Sequence, residues 1–187
     1  MKLTAGQMAP DFTYYTMVAQ GVGFHRSLRA RHNVLMFSRY FDCPICQLKL
    51  MEIVNDYDKL YAANADVLFV IQTSQDDAEE KLNQMGIRFH VIFDPEAKLY
   101  KLYDVPSAKS MAVLLTPQTA WALARSVASG IRHGDFHGND LQLPASFIID
   151  QQGCIEHVKY GTNPADMLDN RQLLDIIRKL DAGEPVG

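Results

Sequence analysis

Short apolar runs alternate with longer amphipathic segments along this chain, and the alternation predicts the order of its secondary structure. The apolar runs are rich in branched side chains, as is typical of buried strands. They predict strands at residues 34–38, 67–71, 90–93 and 147–149. Between and after these runs, apolar residues recur at helical spacing. That spacing predicts helices at about residues 44–63, between Ser74 and Gly86, at 96–103 and at 165–181.

Capping and turn residues mark several boundaries of these elements. Ser74 is placed to accept a hydrogen bond at a helix N-terminus, with Asp77 three positions later, and Gly86 is placed to end that helix. Residues 1–33 have no clear periodicity, and Gly21–Gly23 is expected to form a hairpin turn within them. The regular part of the fold is therefore expected to begin near residue 34.

The predicted elements follow the order β-α-β-α-β-α, then an interruption at about residues 105–142, then β-β-α. In the last part, Cys154–Tyr160 is expected to pair back as a hairpin arm. Parallel βαβ units followed by an antiparallel hairpin predict an α/β fold, with a central mixed sheet flanked by helices. We expect residues 1–187 to form a single domain, and Trp121–Arg125 is a candidate helix within the insertion.

Composition excludes several classes of function. The 187 residues include 18 basic and 22 acidic side chains, so the net charge of −4 gives no reason to expect nucleic acid or an anionic membrane as partner. Three cysteines are too few for a secreted disulfide framework. Neither a membrane span nor the apolar core of a signal peptide is visible. We therefore expect a cytoplasmic protein, and in that setting a CxxC motif is more often catalytic or metal-binding than structural.

The candidate chemistry lies in Cys43-Pro44-Ile45-Cys46, directly after the first predicted strand. Cys43 is expected at the helix N-cap and Pro44 at the first helical position, where its missing N–H costs nothing. The free N–H groups and partial positive charge of a helix N-terminus favour thiolate over thiol. Cys46 lies one helical turn further on, so its thiol is expected to approach Cys43 closely.

Other readings of the cysteines and histidines are weaker. A zinc site at the CxxC motif needs two more ligands, and nothing in the sequence places Cys154, His133 or His137 near it. The two histidines, with Asp135 and Asp140, could form a separate metal site, but the intervening glycines favour a solvated loop. We expect neither a metal nor another cofactor. Cys154 is expected to pack passively, and its alternative role is that of a distal resolving or intermolecular thiol.

The CxxC motif, joined to Leu143–Asp150 about a hundred residues later, resembles the thioredoxin-like fold. Within it, residues from about 5 to 180 resemble the peroxiredoxin-like branch of the alkyl hydroperoxide reductase and thiol-specific antioxidant family. The resemblance implies a cis-proline at Pro144 that faces the two cysteines and leaves the backbone groups of Leu143 free to pair with a substrate chain.

The resemblance also implies roles for the site residues. Cys43 would be the peroxidatic thiolate and Cys46 the resolving thiol, with an external reductant such as a thioredoxin-type protein or a low-molecular thiol. Conventional relatives carry a threonine and an arginine near the reactive cysteine, where this chain has Tyr40 and Pro144. Arg39 is therefore the candidate to replace the missing arginine.

Three functions remain open at this stage. The first is a peroxide reductase, the second a thiol–disulfide oxidoreductase that acts on proteins, and the third a non-catalytic redox sensor. The CxxC spacing and Pro144 favour the second, whereas the insertion and the family resemblance favour the first. A homodimer is possible, and the insertion is expected to be either a lid over Cys43 or a dimer contact.

Overall fold

The computed structural model describes residues 2–131, 134 and 138–186. In chain order the elements within these residues are β1 (Thr13–Tyr14), β2 (Val22–Gly23), α1 (Phe24–Ser27), β3 (His32–Phe37), α2 (Pro44–Ala62), β4 (Ala65–Ile71), α3 (Gln75–Gln84), β5 (His90–Phe93), α4 (Lys98–Leu102), a 3-10 helix (Met111–Leu115), α5 (Pro117–Ala128), β6 (Ala145–Ile149), β7 (Ile155–Tyr160) and α6 (Asn170–Asp181). The main sheet has the order β5-β4-β3-β6-β7. Strands β3, β4 and β5 are parallel, and β6 and β7 are antiparallel to their neighbours. The predicted mixed sheet flanked by helices is confirmed.

Two predicted boundaries are wrong, each for a local reason. The last helix begins at Asn170 rather than near residue 165, because Asp169 and Gln172 form a capping box that fixes its first turn. Val22–Gly23 is a short strand rather than part of a turn, because it pairs with β1 in antiparallel register. Ser74 caps α3 as predicted, and Gly86 has the positive φ of +65° expected after a helix end.

The insertion contributes more regular structure than its sequence indicated. Trp121–Arg125 lies inside the longer helix α5, which is preceded by the 3-10 helix. Thr116 accepts a hydrogen bond from the backbone N–H of Thr119, and Pro117 occupies the first turn, so the N-terminus of α5 is well defined. Helix α5 packs against α2. The insertion is therefore placed beside the helix that begins with the CxxC motif.

The central strand β3 is buried along its whole length, since both faces of the sheet are covered. Val34 and Met36 join a core that contains residues of α2, α3 and α6. Leu35 and Phe37 join a second core, with residues of α1 and α4. The loop after β3 thus leads from the centre of the sheet directly into α2. None of the helices in the described ranges is long and apolar enough to cross a membrane.

Candidate active site

The junction between β3 and α2 places two free thiols at the start of a long helix. Cys43 is the N-cap of α2 with extended backbone dihedrals, Pro44 follows in the first turn, and the Cys43 carbonyl accepts a hydrogen bond from Gln47 N at 3.0 Å. The predicted positions of Cys43 and Pro44 in the helix are confirmed. Both thiols are buried, with 2% of Cys43 and 5% of Cys46 exposed. Their reactivity is therefore set by their protein neighbours.

The neighbouring groups shift the pKa values of the two thiols in opposite directions. A hydrogen bond from the Cys46 thiol lowers the pKa of Cys43 to about 6, against the opposing effect of burial. The charge of Arg39 and backbone N–H groups of the first helical turn lower the pKa further. Burial, and next the hydrogen bond and charge of Cys43, raise the pKa of Cys46 well above its ordinary value. The pair therefore holds a thiolate at Cys43 and a thiol at Cys46.

Arg39, Tyr40 and Asp140 form a polar cluster beside Cys43. Arg39 Nη2 donates a hydrogen bond to Asp140 Oδ1 at 3.1 Å, and the Tyr40 hydroxyl donates to the same oxygen at 2.7 Å. The Arg39 side chain is only 8% exposed, and its Nε has no hydrogen-bond partner among the described residues. Burial, together with the bond to Asp140, raises the pKa of Tyr40, so its hydroxyl stays protonated. Arg39 thus has a donor left over for a ligand.

A small cavity connects these groups with the two helices of the insertion. Its volume is about 280 Å³, and it is lined by Arg39, Tyr40, Cys43, Pro44, Ile45, Met111, Leu114, Thr119, Leu123 and Asp140. Most of the lining is apolar, and the 3-10 helix and α5 supply four of these side chains. The insertion therefore forms a wall of the space that Cys43 faces. A ligand there would meet one reactive sulfur, one guanidinium and a largely apolar surface.

Cys46 borders a different cavity, of about 270 Å³. It is lined by Ser38, Ile45, Cys46, Leu48, Lys49, Glu52, Gln118, Trp121, Ala122, Arg125, Lys159, Pro164, Ala165, Met167, Asp169 and Gln172. Cys43 does not line this cavity, and Cys46 does not line the first one. The two sulfurs are therefore adjacent to each other but approached from separate spaces.

The expectation of a cis-proline at Pro144 is wrong. No cis peptide bond occurs in the described residues, so the Leu143–Pro144 bond is trans. Leu143 N donates to Pro106 O at 3.1 Å, and Leu143 O accepts from the Gln142 side chain at 3.1 Å. The backbone groups of Leu143 are thus occupied by the insertion rather than free for a substrate chain. Pro144 lines neither of the two cavities described above.

The remaining candidates lie elsewhere. His133, Asp135 and His137 fall outside the described residues, and the described part of the chain has no group of three or more His, Cys, Asp or Glu side chains that could hold a metal ion. The last residues of β6 pair with the start of β3, and Cys154 follows them in the chain. Cys43 instead follows the end of β3. The two cysteines therefore lie at opposite ends of the sheet. A sheet strand of six residues spans roughly 20 Å, far beyond the reach of a disulfide.

Sequence reasoning missed the role of Asp140 and gave no role to Lys49. The sequence suggests only a metal-ligand role for Asp140, although a charged Arg39 beside a buried strand needs a nearby carboxylate. The need for a counter-charge predicts an acidic partner for Arg39, but it does not identify which carboxylate lies nearby. Lys49 reads as an ordinary helix lysine, and only its burial in the structure makes it a candidate.

The charge of Arg39 leads to a prediction about the pH dependence of Cys43. In a Cys154→Ser background, the rate of alkylation of Cys43 is expected to rise with pH around about 6, because the thiolate is the reactive form. Arg39→Gln removes a positive charge that favours the thiolate, so the midpoint should move to higher pH. Arg88→Gln is the matched control, since Arg88 pairs with Asp58 near the far end of α2. Equal shifts in both variants would contradict this assignment.

Comparisons with known proteins show the family and the fold of this chain. The model of the AhpC/TSA family matches residues 5–158. Peroxiredoxin-like 2C from Homo sapiens is 25% identical over an alignment of length 175; the match covers 84% of this chain and 74% of that protein. Most of the chain therefore aligns with the family in both comparisons.

Solved structures with a similar fold include both peroxide-related and disulfide-related proteins. A yeast mitochondrial 1-Cys peroxiredoxin, described as resolved by the glutathione/thioredoxin systems, has a TM-score of 0.69 at 15% identity, with 96% of this chain and 77% of that chain covered. A candidate thiol:disulfide interchange protein DsbE from Chlorobium tepidum has a TM-score of 0.61 at 22% identity, with 94% and 99% covered. The fold is thioredoxin-like, and the chain belongs to the AhpC/TSA family.

Proposed function

We propose that this chain is a thiol peroxidase that reduces hydroperoxides through Cys43. The observation that carries the proposal is a buried cysteine with a lowered pKa that lines a small, mainly apolar cavity beside an arginine. To reduce a small hydroperoxide, a protein needs a thiolate, a cavity that admits the peroxide and a nearby cation. Family membership supports thiol-based redox chemistry in general.

The first step is attack of the Cys43 thiolate on one peroxide oxygen. A sulfur–oxygen bond forms, the oxygen–oxygen bond breaks, and the alkoxide or hydroxide leaves and takes up a proton. Cys43 is thereby oxidised to a sulfenic acid, and the peroxide is reduced by two electrons. Cys46 then attacks the Cys43 sulfur, water leaves with the thiol proton, and a Cys43–Cys46 disulfide forms.

Arg39 is suited to the first step because negative charge moves onto the leaving oxygen. Its Nε has no partner among the described residues, and the hydrogen bond to Asp140 restrains its guanidinium. A fixed cation near a developing oxyanion stabilises the transition state. The Tyr40 hydroxyl donates to the same oxygen of Asp140 and so helps to fix the carboxylate that orients Arg39.

The surroundings of the site favour a small substrate over a protein disulfide. Both thiols are nearly inaccessible, and the backbone groups of Leu143 are already hydrogen-bonded. A polypeptide substrate would have to displace those bonds before it could pair with the chain. The second candidate function is thiol–disulfide exchange on proteins. We test it as well, because the fold is similar to that of the DsbE protein.

Two assays on the same reduced protein distinguish these functions. Stopped-flow mixing with hydrogen peroxide is expected to give oxidation much faster than that of a free cysteine, because the thiolate and Arg39 are already in place. Reduction of insulin by the same protein is expected to be slow. Peroxide oxidation no faster than that of free cysteine, together with rapid insulin reduction, would reverse the assignment.

A further inference from the structure

The cavity beside Cys46 contains a buried cation that the proposed peroxide reaction does not use. Lys49 lies on α2 one turn after Cys46, and only 7% of the residue is exposed. Its Nζ has no hydrogen-bond partner among the described residues, and Glu52 Oε2 is 3.8 Å away, too far for a hydrogen bond. Burial of an ammonium without a hydrogen-bond acceptor costs free energy of folding. A buried lysine of this kind therefore indicates a site where a ligand supplies the acceptor.

The other charges of this cavity are already paired. Arg125 Nη2 donates to Glu52 Oε1 at 2.8 Å, and Lys159 Nζ contacts Asp166 Oδ1 at 2.7 Å. Asp169 caps α6. Among the described lining residues, Lys49 is the cation whose side-chain nitrogen is buried without a hydrogen-bond acceptor. Such an ammonium fits a carboxylate group.

We propose that this cavity is the entry site of the reductant, and that the reductant is a small carboxylate-bearing thiol that attacks Cys46. The proposal rests on the thiol peroxidase function, since it describes how the Cys43–Cys46 disulfide is reopened. A carboxylate of the thiol binds the Lys49 ammonium, and its sulfur attacks Cys46, the one cysteine among the described residues that line this cavity.

Reduction of the Cys43–Cys46 disulfide by the small thiol takes two steps. The reductant thiolate attacks Cys46, a mixed disulfide forms between reductant and Cys46, and Cys43 leaves as a thiolate. A second reductant thiolate attacks the reductant sulfur of that mixed disulfide, and Cys46 leaves and takes up a proton. Two reductant thiols are thus oxidised to one disulfide, while the protein disulfide is reduced to two thiols.

The difference in pKa between the two thiols favours attack of the reductant on Cys46. The thiol with the lower pKa is the better leaving group, and the pKa of Cys43 is lowered while that of Cys46 is raised. Attack on Cys46 expels the Cys43 thiolate, which the charge of Arg39 and the backbone N–H groups of the first helical turn still stabilise after the Cys46 thiol is gone. The second step expels the poorer leaving group, so the mixed disulfide on Cys46 should accumulate.

The cavity also selects between small and macromolecular reductants. Lys49 and Cys46 are both nearly inaccessible, and the cavity that they border has a volume of about 270 Å³. A peptide-sized thiol with free carboxylates fits such a space, whereas a folded dithiol protein would have to bring its cysteine into it. We therefore choose glutathione as the probe, and a thioredoxin as the macromolecular alternative.

The test uses protein whose Cys43–Cys46 disulfide has been formed with diamide, so that it needs no peroxide activity. Glutathione is expected to reduce this disulfide about tenfold faster than glutathione diethyl ester, whose carboxylates are masked, as expected for one charge-assisted hydrogen bond. Lys49→Gln should remove this preference, whereas Lys59→Gln should retain it, because Lys59 is an exposed lysine on the same helix. Acid quenching followed by peptide mapping should find the glutathione on Cys46.

Several outcomes would overturn the inference. These are equal rates for glutathione and its ester in the wild type, a first adduct on Cys43, or reduction by thioredoxin but not by glutathione. The comparison of the two thiols on wild-type protein needs no variant, so it stays decisive even if Lys49→Gln does not fold. Failure of the peroxide assay with the glutathione preference intact would reject the proposed function and leave the entry site standing. Absence of a Cys43–Cys46 disulfide after diamide would reject both.

Discussion

Cys43→Ser is expected to reduce the rate of oxidation by hydrogen peroxide by at least about 10³-fold, the scale observed when a catalytic nucleophile is removed. Serine keeps the size and polarity of the side chain but supplies no thiolate. The remaining thiol of the pair, Cys46, cannot take over, because burial raises its pKa and keeps it protonated. The measurement is stopped-flow oxidation under single-turnover conditions.

Cys154→Ser is the matched control for this substitution. It makes the same chemical change at a half-buried cysteine at the opposite end of the sheet, so the wild-type rate is expected. Loss of rate in Cys154→Ser, or a Cys43→Ser variant that still reacts rapidly, would contradict the assignment of Cys43 as nucleophile. Circular dichroism of both variants shows whether the fold is retained.

Much of the sheet is predictable from the sequence because its strands are buried on both faces. The run from Val34 to Phe37 is apolar at every position, and such a run has few stable places outside a sheet centre. The predicted strand at 90–93 has the observed bounds. The insertion is harder to predict because its helices are largely exposed: the 3-10 helix buries no residue, and the buried residues of α5 are the polar Thr119 and Ser126.

The chemistry of the two cysteines was predictable locally, but their surroundings were not. Cys43 and Pro44 fix the start of α2 through adjacent residues, so spacing alone is informative. Asp140 reaches Arg39 across about a hundred positions of sequence, and no periodicity encodes that contact. Similarly, the hydrogen bonds that occupy Leu143 depend on how Pro106 and Gln142 are folded. This is why the expected free backbone at Leu143 was wrong.

Substitution of Cys46 separates its two proposed contributions, hydrogen-bond donor and resolving thiol. Cys46→Ser and Cys46→Ala are both expected to abolish turnover with a reductant that acts on the disulfide, because neither can form it. Only Cys46→Ala also removes the donor that contributes most to the lowered pKa of Cys43. Its midpoint for alkylation of Cys43 should therefore lie at higher pH than that of Cys46→Ser, and its peroxide oxidation at pH 6 should be the slower of the two.

Intact mass spectrometry after one equivalent of peroxide distinguishes the consequences. Wild type is expected to lose two hydrogen atoms, whereas both variants should gain one oxygen atom on Cys43, and a second one when a further equivalent of peroxide oxidises the sulfenic acid. A disulfide that persists in Cys46→Ser would make Cys154 the resolving thiol, despite its position at the other end of the sheet. Equal alkylation profiles for the serine and alanine variants would show that the thiolate of Cys43 is held by Arg39 and the helix N-terminus, without need of the Cys46 donor.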